Sequence, residues 1–459
     1  MSARLLDPAH RAFTVGIVAV MTMFAFEGIG VGTAMPVVAT ALDGLGSYAW
    51  AFGGYVVASL VGLVLAGEWA DARGPRQPLI VGVGLFALGA LLCGAAWSMP
   101  ALIAGRLVEG LGGGIGIVAV YVILGRAFDD RLRPQAFVLL STAWVLPAIV
   151  GPFVAGFLTD QVSWRAVFWL VVPLVLPPVW LLAPRLGRLG GGSGAADRGD
   201  SRRRLRLAVV AAAGLALLQE GAARVGRTGA LLAVAGLAVV APALGRLLPH
   251  GTWRFARGLP AVVMMRGLMA GAFFGGESFV PLALQTERGL TPTHAGLILT
   301  AGALGWTTGA WVQGRKYASW GPVRLLRIGT LCATTGLATV PLCLLPQVSP
   351  YTAALSWVVG SIGMGLSFGT LGNETLALSA PADQGENSAA LQLCDSTGSV
   401  LLIGLAGAVY ATAVAAGNVD RLTFTVIFLT MAAVMALGVA MSGRVRGPRA
   451  VVPTTTVAA

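Results

Sequence analysis

Apolar residues run along the chain in long blocks, with charged residues gathered in short clusters between them. Stretches of at least 18 residues without Asp, Glu, Lys or Arg occupy 44–67, 77–105, 134–159, 166–184, 228–245, 289–314, 328–373, 396–419 and 422–443. Each predicts a helix long enough to cross a bilayer, for which about 20 apolar residues suffice. The 328–373 block is punctuated by Leu345-Pro346-Gln347-Val348-Ser349-Pro350 and divides there into two spans. Ten spans follow. Four further apolar segments carry a charge inside or at one edge: 12–42 (Glu27), 100–128 (Arg106, Glu109), 207–223 (Glu220) and 260–284 (Arg266, Glu277). With them the expected count is fourteen. It falls to twelve if 207–223 and 228–245 form a hairpin on the membrane surface. The pattern predicts an all-α polytopic membrane protein.

Composition excludes the ordinary soluble alternatives. Hydrophobic residues make up 56% and charged residues 11% of the 459, and mean hydropathy is +0.81, where soluble proteins are about 25% charged. The net charge of +12 would suit a nucleic-acid partner, but the basic residues, all Arg except Lys316, lie in the gaps between spans and set topology instead. With the N-terminus inside, alternate loops hold 24 and 5 of these residues, and Arg106 and Arg266 remain in the membrane. Both termini are therefore expected on the cytoplasmic face. Residues 1–11 are polar, and no small-residue cleavage site follows the first apolar run, so that run is expected to remain as a span. Trp50, Trp69, Trp97, Trp164, Trp253 and Trp320 stand near span ends and fit interfacial belts. The four Cys are single and without metal or disulfide spacing, and His10, His250 and His294 sit in loops or at span ends. No metal and no cofactor is expected.

Between two halves lies 184–206, rich in Gly and Arg with almost nothing to bury, a flexible cytoplasmic linker. The expected organisation is a six-helix bundle over 1–183, this linker, two extra spans over 207–257, a second six-helix bundle over 258–443 and a cytoplasmic tail over 444–459. The halves resemble copies of one unit. Gly67 and Gly74-Pro75 after the second span match Gly314 and Gly321-Pro322 after the tenth, with Pro36 and Pro281 upstream.

Gly67-x-x-x-Asp71-x-Arg73-Gly74-x-Arg76 resembles the loop signature of the major facilitator superfamily, with Ala72 where Arg is frequent. Arg106-x-x-Glu109-Gly110 is similar to that superfamily's R-x-x-Q-G element, with Glu for Gln. Gly151-Pro152-x-x-Ala155-Gly156 resembles its antiporter signature, with Pro147 and Ala155 in place of glycines. Glu27 and Pro36 in the first span, and two extra central spans, resemble the fourteen-span drug:proton antiporter branch. The resemblance covers essentially the whole chain. It implies two six-helix bundles plus two extra spans, and proton-coupled efflux of amphipathic drugs that could be cationic. The cargo and protons would then be the partners, within the inner membrane.

A charged acid inside a span costs about 2.5–3.5 kcal/mol on insertion scales, so Glu27 must be protonated, paired or hydrated. The superfamily's fold sets the first and fourth spans on one cavity, which makes Arg106 its natural partner. The pair could load and release a proton, or could be a fixed ion pair holding two helices together. Glu109, one turn from Arg106, could relay that proton or merely neutralise the guanidinium. Glu277, on one face with Arg266, could meet a cationic cargo or lie at a solvated vestibule edge. Asp395 and Glu374 fall near the cytoplasmic boundary and are expected to be hydrated. Asp71, Arg73 and Arg76 suit a charge latch between helix ends that acts in switching. Small residues at 151, 155 and 156 with Pro152 permit a bend and a close helix contact. Trp144 and Trp306 could stack on a flat cation or pack against neighbours.

Gly110 to Gly116, GLGGGIG, lies inside a span and is expected to pack helices, not to bind a dinucleotide. Gly309 to Lys316 misplaces the Lys of a nucleotide-binding loop, so ATP is not the expected driver. A dedicated exporter of one metabolite or antibiotic, or an uptake symporter, would keep the same fold. A receptor or an intramembrane enzyme has no supporting motif.

Overall fold

The computed structural model describes residues 7, 11–128, 132, 139–140, 143–186, 198–380 and 383–447. Residues 187–197 of the linker expected at 184–206 and 448–459 of the tail lie outside these residues, while 198–206 are already helical. Among the described residues the chain is helical and strand-free, and twelve helices are long and apolar enough to cross a membrane.

The first half comprises α1 (Arg11–Ala41), α2 (Tyr48–Arg73), α3 (Arg76–Gly94), α4 (Met99–Ala127), α5 (Val145–Gln161) and α6 (Trp164–Leu186). After the linker come α7 (Arg198–Ala223) and α8 (Arg227–Leu247). The second half comprises α9 (Leu259–Glu277), α10 (Val280–Arg288), α11 (Pro292–Thr339), α12 (Thr352–Ala377), α13 (Gln384–Ala415) and α14 (Arg421–Met441). Local chemistry sets several ends. Ser98 caps α4 by accepting from the Ala101 amide ahead of Pro100, and Asp420 and Thr423 form a reciprocal cap on α14.

Three helices depart from the expected spans. The charge-free block from 134 predicts an early start for the fifth span, but the described helix begins at Val145 and has 17 residues. The 260–284 segment breaks at Ser278 and Phe279, where Pro281 cannot continue the backbone ladder, and resumes as α10. Helix α11 runs over 48 residues but loses helical geometry at Gly321, ahead of Pro322.

Segment 207–223 is part of α7, a 26-residue helix that packs on α8 and also on α2 and α13. Arg204 near its start lies 3.7 Å from Glu386, at the start of α13. Glu220 near its end accepts from the Trp50 indole at the start of α2. The helix thus runs from the linker end of the bundle to the far end, along the bundle and not across its surface.

Glycines bring helices into contact where lipid supplies no hydrophobic drive between them. Gly82 and Gly89 of α3 lie against Gly116 and Glu109 of α4, and Gly110 and Gly114 lie against Tyr55 and Ser59 of α2. The GLGGGIG run is packing surface on both sides. In the second half Gly329 and Gly336 meet Gly363 and Gly360 in the same manner. Of the tryptophans expected at interfaces, Trp97 and Trp253 are exposed. Trp50 and Trp164 are buried instead, because Glu220 and Phe168 cover them.

Candidate functional site

Glu27 stands in the middle of α1 with no solvent exposure, and Arg106 and Glu109 sit one turn apart on α4, equally enclosed. The Arg106 guanidinium donates to Glu27 Oε1 and, at 2.7 Å, to Glu109 Oε2. Its Nε donates to the Ala51 carbonyl at 2.9 Å, and its plane lies 4.7 Å from the Tyr55 ring centre. The Cys93 thiol lies 3.8 Å from Glu109 Oε2. Helices α1, α2, α3 and α4 therefore meet around one cation.

Two carboxylates share that single cation. Glu27 Oε2 and Glu109 Oε1 are buried without a hydrogen-bond partner. With both acids ionised the cluster carries one uncompensated negative charge in a dry site, an arrangement that is unfavourable by several kcal/mol. One proton on either acid removes the excess charge and gives an orphaned oxygen a hydrogen to donate. The geometry can hold a proton; whether it moves one depends on solvent reaching the acids.

The second half holds a different set of groups. Arg266 on α9 donates to Asp395 Oδ2 on α13 at 2.6 Å and stacks 3.4 Å over the Phe368 ring. Asp395, expected to be hydrated, is 7% exposed, because α9 and α13 pack along their length and bury it against Arg266. Glu374, also expected to be hydrated, is 3% exposed and accepts from the Tyr317 hydroxyl of α11. Sequence position alone gave no sign of either partner.

Glu277 ends α9, partly exposed, and makes no hydrogen bond to a described residue. One turn back, Phe273 and Phe274 enter an aromatic group with Trp306, Trp357 and Phe368. Phe273 stacks on Trp357 at 4.8 Å, and Trp306 lies edge-on to Phe273 and Phe368 at 5.9 and 5.1 Å. Phe274, Trp306 and Phe368 keep part of their surface exposed, so the group offers aromatic edges and faces beside a carboxylate. Trp144 is elsewhere, 40% exposed at the N-cap of α5 and without a ring partner among the described residues.

Loop residues predicted as a latch end α2 and begin α3. Gly67 lies against open space; Gly74 breaks the chain at φ 80 and ψ 169. Arg73 and Arg76 are exposed and form no ion pair among the described residues. Asp71 falls in the last turn of α2, and its side chain is outside the described residues. The Ala70 carbonyl accepts from Arg126 of α4 at 3.4 Å, which ties the same helix ends together.

Gly151, Pro152, Ala155 and Gly156 are all buried. Gly30 of α1 approaches Gly151 and Ala155 at 3.3 and 3.4 Å, measured to a notional Cβ, and Gly156 and Gly296 bring α5 against the start of α11. The motif thus sits between the halves, near their far end. There the halves are joined by hydrogen bonds from Tyr48 to the Ser278 carbonyl at 2.8 Å, from Gln285 to the Thr33 carbonyl at 3.2 Å, and from the Thr293 amide to Asp160 at 3.0 Å.

A family model, the Major Facilitator Superfamily, matches residues 12–403. The chain belongs to that superfamily: it is a multi-pass membrane transporter of small molecules, not an enzyme. Over 404 residues it is 27% identical to a probable multidrug-efflux transporter of Mycobacterium tuberculosis, with 83% of this chain and 84% of that one covered. It is 30% identical over 168 residues to the multidrug transporter protein MdtP of Bacillus subtilis, a match spanning 37% of this chain and 31% of the relative. Its backbone is similar to the crystal structure of a POT family transporter in complex with a thioalcohol-conjugated peptide, at TM-score 0.71 and 14% identity, covering 95% of this chain and 96% of that one. Likeness at that identity shows the fold alone.

Proposed function

We propose that the chain is a proton-coupled exporter of amphipathic small molecules that could be cationic, working by alternating access and belonging to the fourteen-span drug:proton antiporter branch. The observation that carries the proposal is the enclosed trio of Glu27, Arg106 and Glu109, two acids on one cation with an orphaned oxygen on each. Such a site is neutral with one proton and anionic without it. A cycle that opens it to one side and then the other would carry that proton across. A proton moving down about 100 mV contributes about 2.3 kcal/mol, enough for more than tenfold accumulation of an exchanged substrate.

Efflux as the direction is supported by the relatives named multidrug transporters and by the antiporter-like α5. Fourteen crossings are supported by the break at Gly321, which divides α11 into two lengths, and by α5 as a shorter member. The halves would be 1–183 and 258–443, with 207–257 between them. Cytoplasmic termini in an inner membrane are supported by the 24-to-5 sorting of Arg and Lys. Glu277 with Trp306 forms the cargo site in this proposal, since a carboxylate beside an aromatic face suits a lipophilic cation, whereas the Phe368 ring already carries Arg266. Residues 67–76 act as the latch, and 151–156 as the seal between halves.

The test is ethidium uptake into inside-out vesicles with an imposed proton gradient. Wild type is expected to accumulate the dye and lose it on uncoupling, and Glu27→Gln is expected to fold normally without accumulating it. Full accumulation by the variant would remove Glu27 from the coupling site. Failure of folded wild type to move ethidium would favour a dedicated exporter of one metabolite.

A further inference from the structure

Helix α7 belongs to neither half, yet it places a polar side chain between them. Gln219 is 2% exposed near the far end of α7. Its amide nitrogen sits where a side chain on Gly53 of α2 would be, and its amide oxygen sits where one on Gly404 of α13 would be. Two glycines, one from each half, thus form the notches that receive it. The neighbouring Glu220 accepts from Trp50 of α2 at 3.0 Å and pairs with Arg224 at 2.6 Å. Beside this point Gly407 of α13 packs directly on Ala49 of α2. Below it an apolar seam of Val57, Leu60, Ala211, Leu215, Cys394 and Val400 continues the same three-helix contact.

The fit is one of shape and not of hydrogen bonding. Gln219 Nε2 is buried with no partner, which is unfavourable. A leucine of similar volume would fill the notches without that penalty. Moreover, the seam lies beside the far-end hydrogen bond from Tyr48 to Ser278, in the state where the halves are joined there. Parting of the halves at this end would separate Gly53 from Gly404 and release the amide to water.

We infer that α7 is a working part of the transport cycle, and that Gln219 is a wedge whose occupancy of the Gly53 and Gly404 notches sets the balance between far-end-closed and far-end-open states. The inference rests on the alternating access proposed above. It makes Gln219 a positioning residue that touches neither cargo nor proton site. Its packing holds the seam shut, and its unpaired amide keeps that closure from being too stable.

The experiment measures distance distributions by double electron–electron resonance in the full chain in lipid nanodiscs. Spin labels are carried at Ala41→Cys and Ala416→Cys, both exposed at the far end, in a Cys332→Ser background. Gln219→Ala empties both notches and is expected to raise the far-end-open fraction at least about threefold. Gln219→Leu fills them without the unpaired amide and is expected to lower it by a similar factor, with kcat reduced and KM unchanged. Gly53→Ala displaces the amide and should act like Gln219→Ala, whereas the double variant Gly53→Ala/Gln219→Ala should return toward wild type because the new methyl occupies the vacated space. Distributions of folded Gln219→Ala and Gln219→Leu that superimpose on wild type, or that shift the same way, would overturn the inference. Because distances are read without cargo or gradient, wild type that moves no ethidium while the two substitutions shift the populations oppositely would overturn proton-coupled efflux and leave the wedge standing.

Discussion

Gly74 and Gly321 share one backbone conformation, φ 80 with ψ 169 and φ 70 with ψ 164, and each precedes a proline. That region of conformational space is essentially open to glycine alone. The two residues belong to a series: Gly62, Gly67, Gly74, Gly82 and Gly89 recur at one constant spacing as Gly309, Gly314, Gly321, Gly329 and Gly336. In the first half Gly62, Gly82 and Gly89 contact α4, in the second Gly309, Gly329 and Gly336 contact α12, Gly74 and Gly321 break the helix, and Gly67 and Gly314 face open space. Alanine at 74 or 321 is expected to destabilise the fold by about 1–3 kcal/mol and to slow transport, read as a lower melting temperature in detergent and a lower vesicle rate. Unchanged melting of both variants would show that the break tolerates a side chain.

Arg106 is held by an acid on each of two helices, a carbonyl and an aromatic face. A lysine there offers a point charge in place of the planar fork and cannot satisfy these partners together. Arg106→Lys is expected to fold and to lose at least about tenfold in gradient-driven transport. Arg106→Leu leaves two acids without their cation and should be destabilising by about 3–5 kcal/mol. Adding Glu27→Gln and Glu109→Gln should recover much of that loss. A leucine variant as stable as wild type would contradict the pairing.

The Arg266 to Asp395 pair makes the opposite kind of prediction. It has one acid for one cation and is nearly enclosed. Removing one partner is expected to be more disruptive than removing both, so Asp395→Leu should melt below Arg266→Met/Asp395→Leu. Equal melting temperatures for the single and double variants would show the pair to be energetically idle.

Glu277 has no described partner and lies a turn from the aromatic group. Glu277→Gln should raise the KM for a cationic cargo about tenfold, by loss of a desolvated charge contact, and leave a neutral cargo unaffected. Equal effects on cationic and neutral cargo would move Glu277 out of the cargo site.

Asp420 tests a capping interaction outside the spans. Its carboxylate accepts from the Thr423 amide at 2.9 Å, and that backbone hydrogen bond holds its pKa below the ordinary Asp value. A depressed acid stabilises the fold fully above its ordinary pKa, and the contribution is lost as pH falls through the lower folded value. Asp420→Ala should therefore speed amide exchange in the first turn of α14 at pH 7, with the difference from wild type fading as pH falls below the ordinary Asp pKa of about 3.9. A difference independent of pH would point to lost packing instead of a lost charged cap.

Where most of the long helices lie was legible in the sequence, because in a bilayer every backbone polar group must be satisfied within its own segment and long charge-free blocks have no alternative to helix. The repeat was legible for a related reason, since a positive-φ break demands Gly and the residue after it was Pro both times. The trio of Glu27, Arg106 and Glu109 was expected from motif and from the insertion penalty on a lone acid. Partner choice was not legible where it depended on which helices cross at one depth. Asp395 and Glu374 lie near span ends, yet α9 and α11 cover them. Trp144 and Trp306 both stand inside charge-free blocks, and only packing gives Trp306 its aromatic neighbours while Trp144 has none among the described residues. Gln219 was the clearest case: its neighbours along the chain say nothing of a partner, while in the fold two glycines distant along the chain make room for its amide. Hydrophobic periodicity and glycine placement are local properties of the chain, and they determined the helices and their breaks. Which buried polar group meets which, and across which half, is a property of surfaces that only the packed bundle brings together.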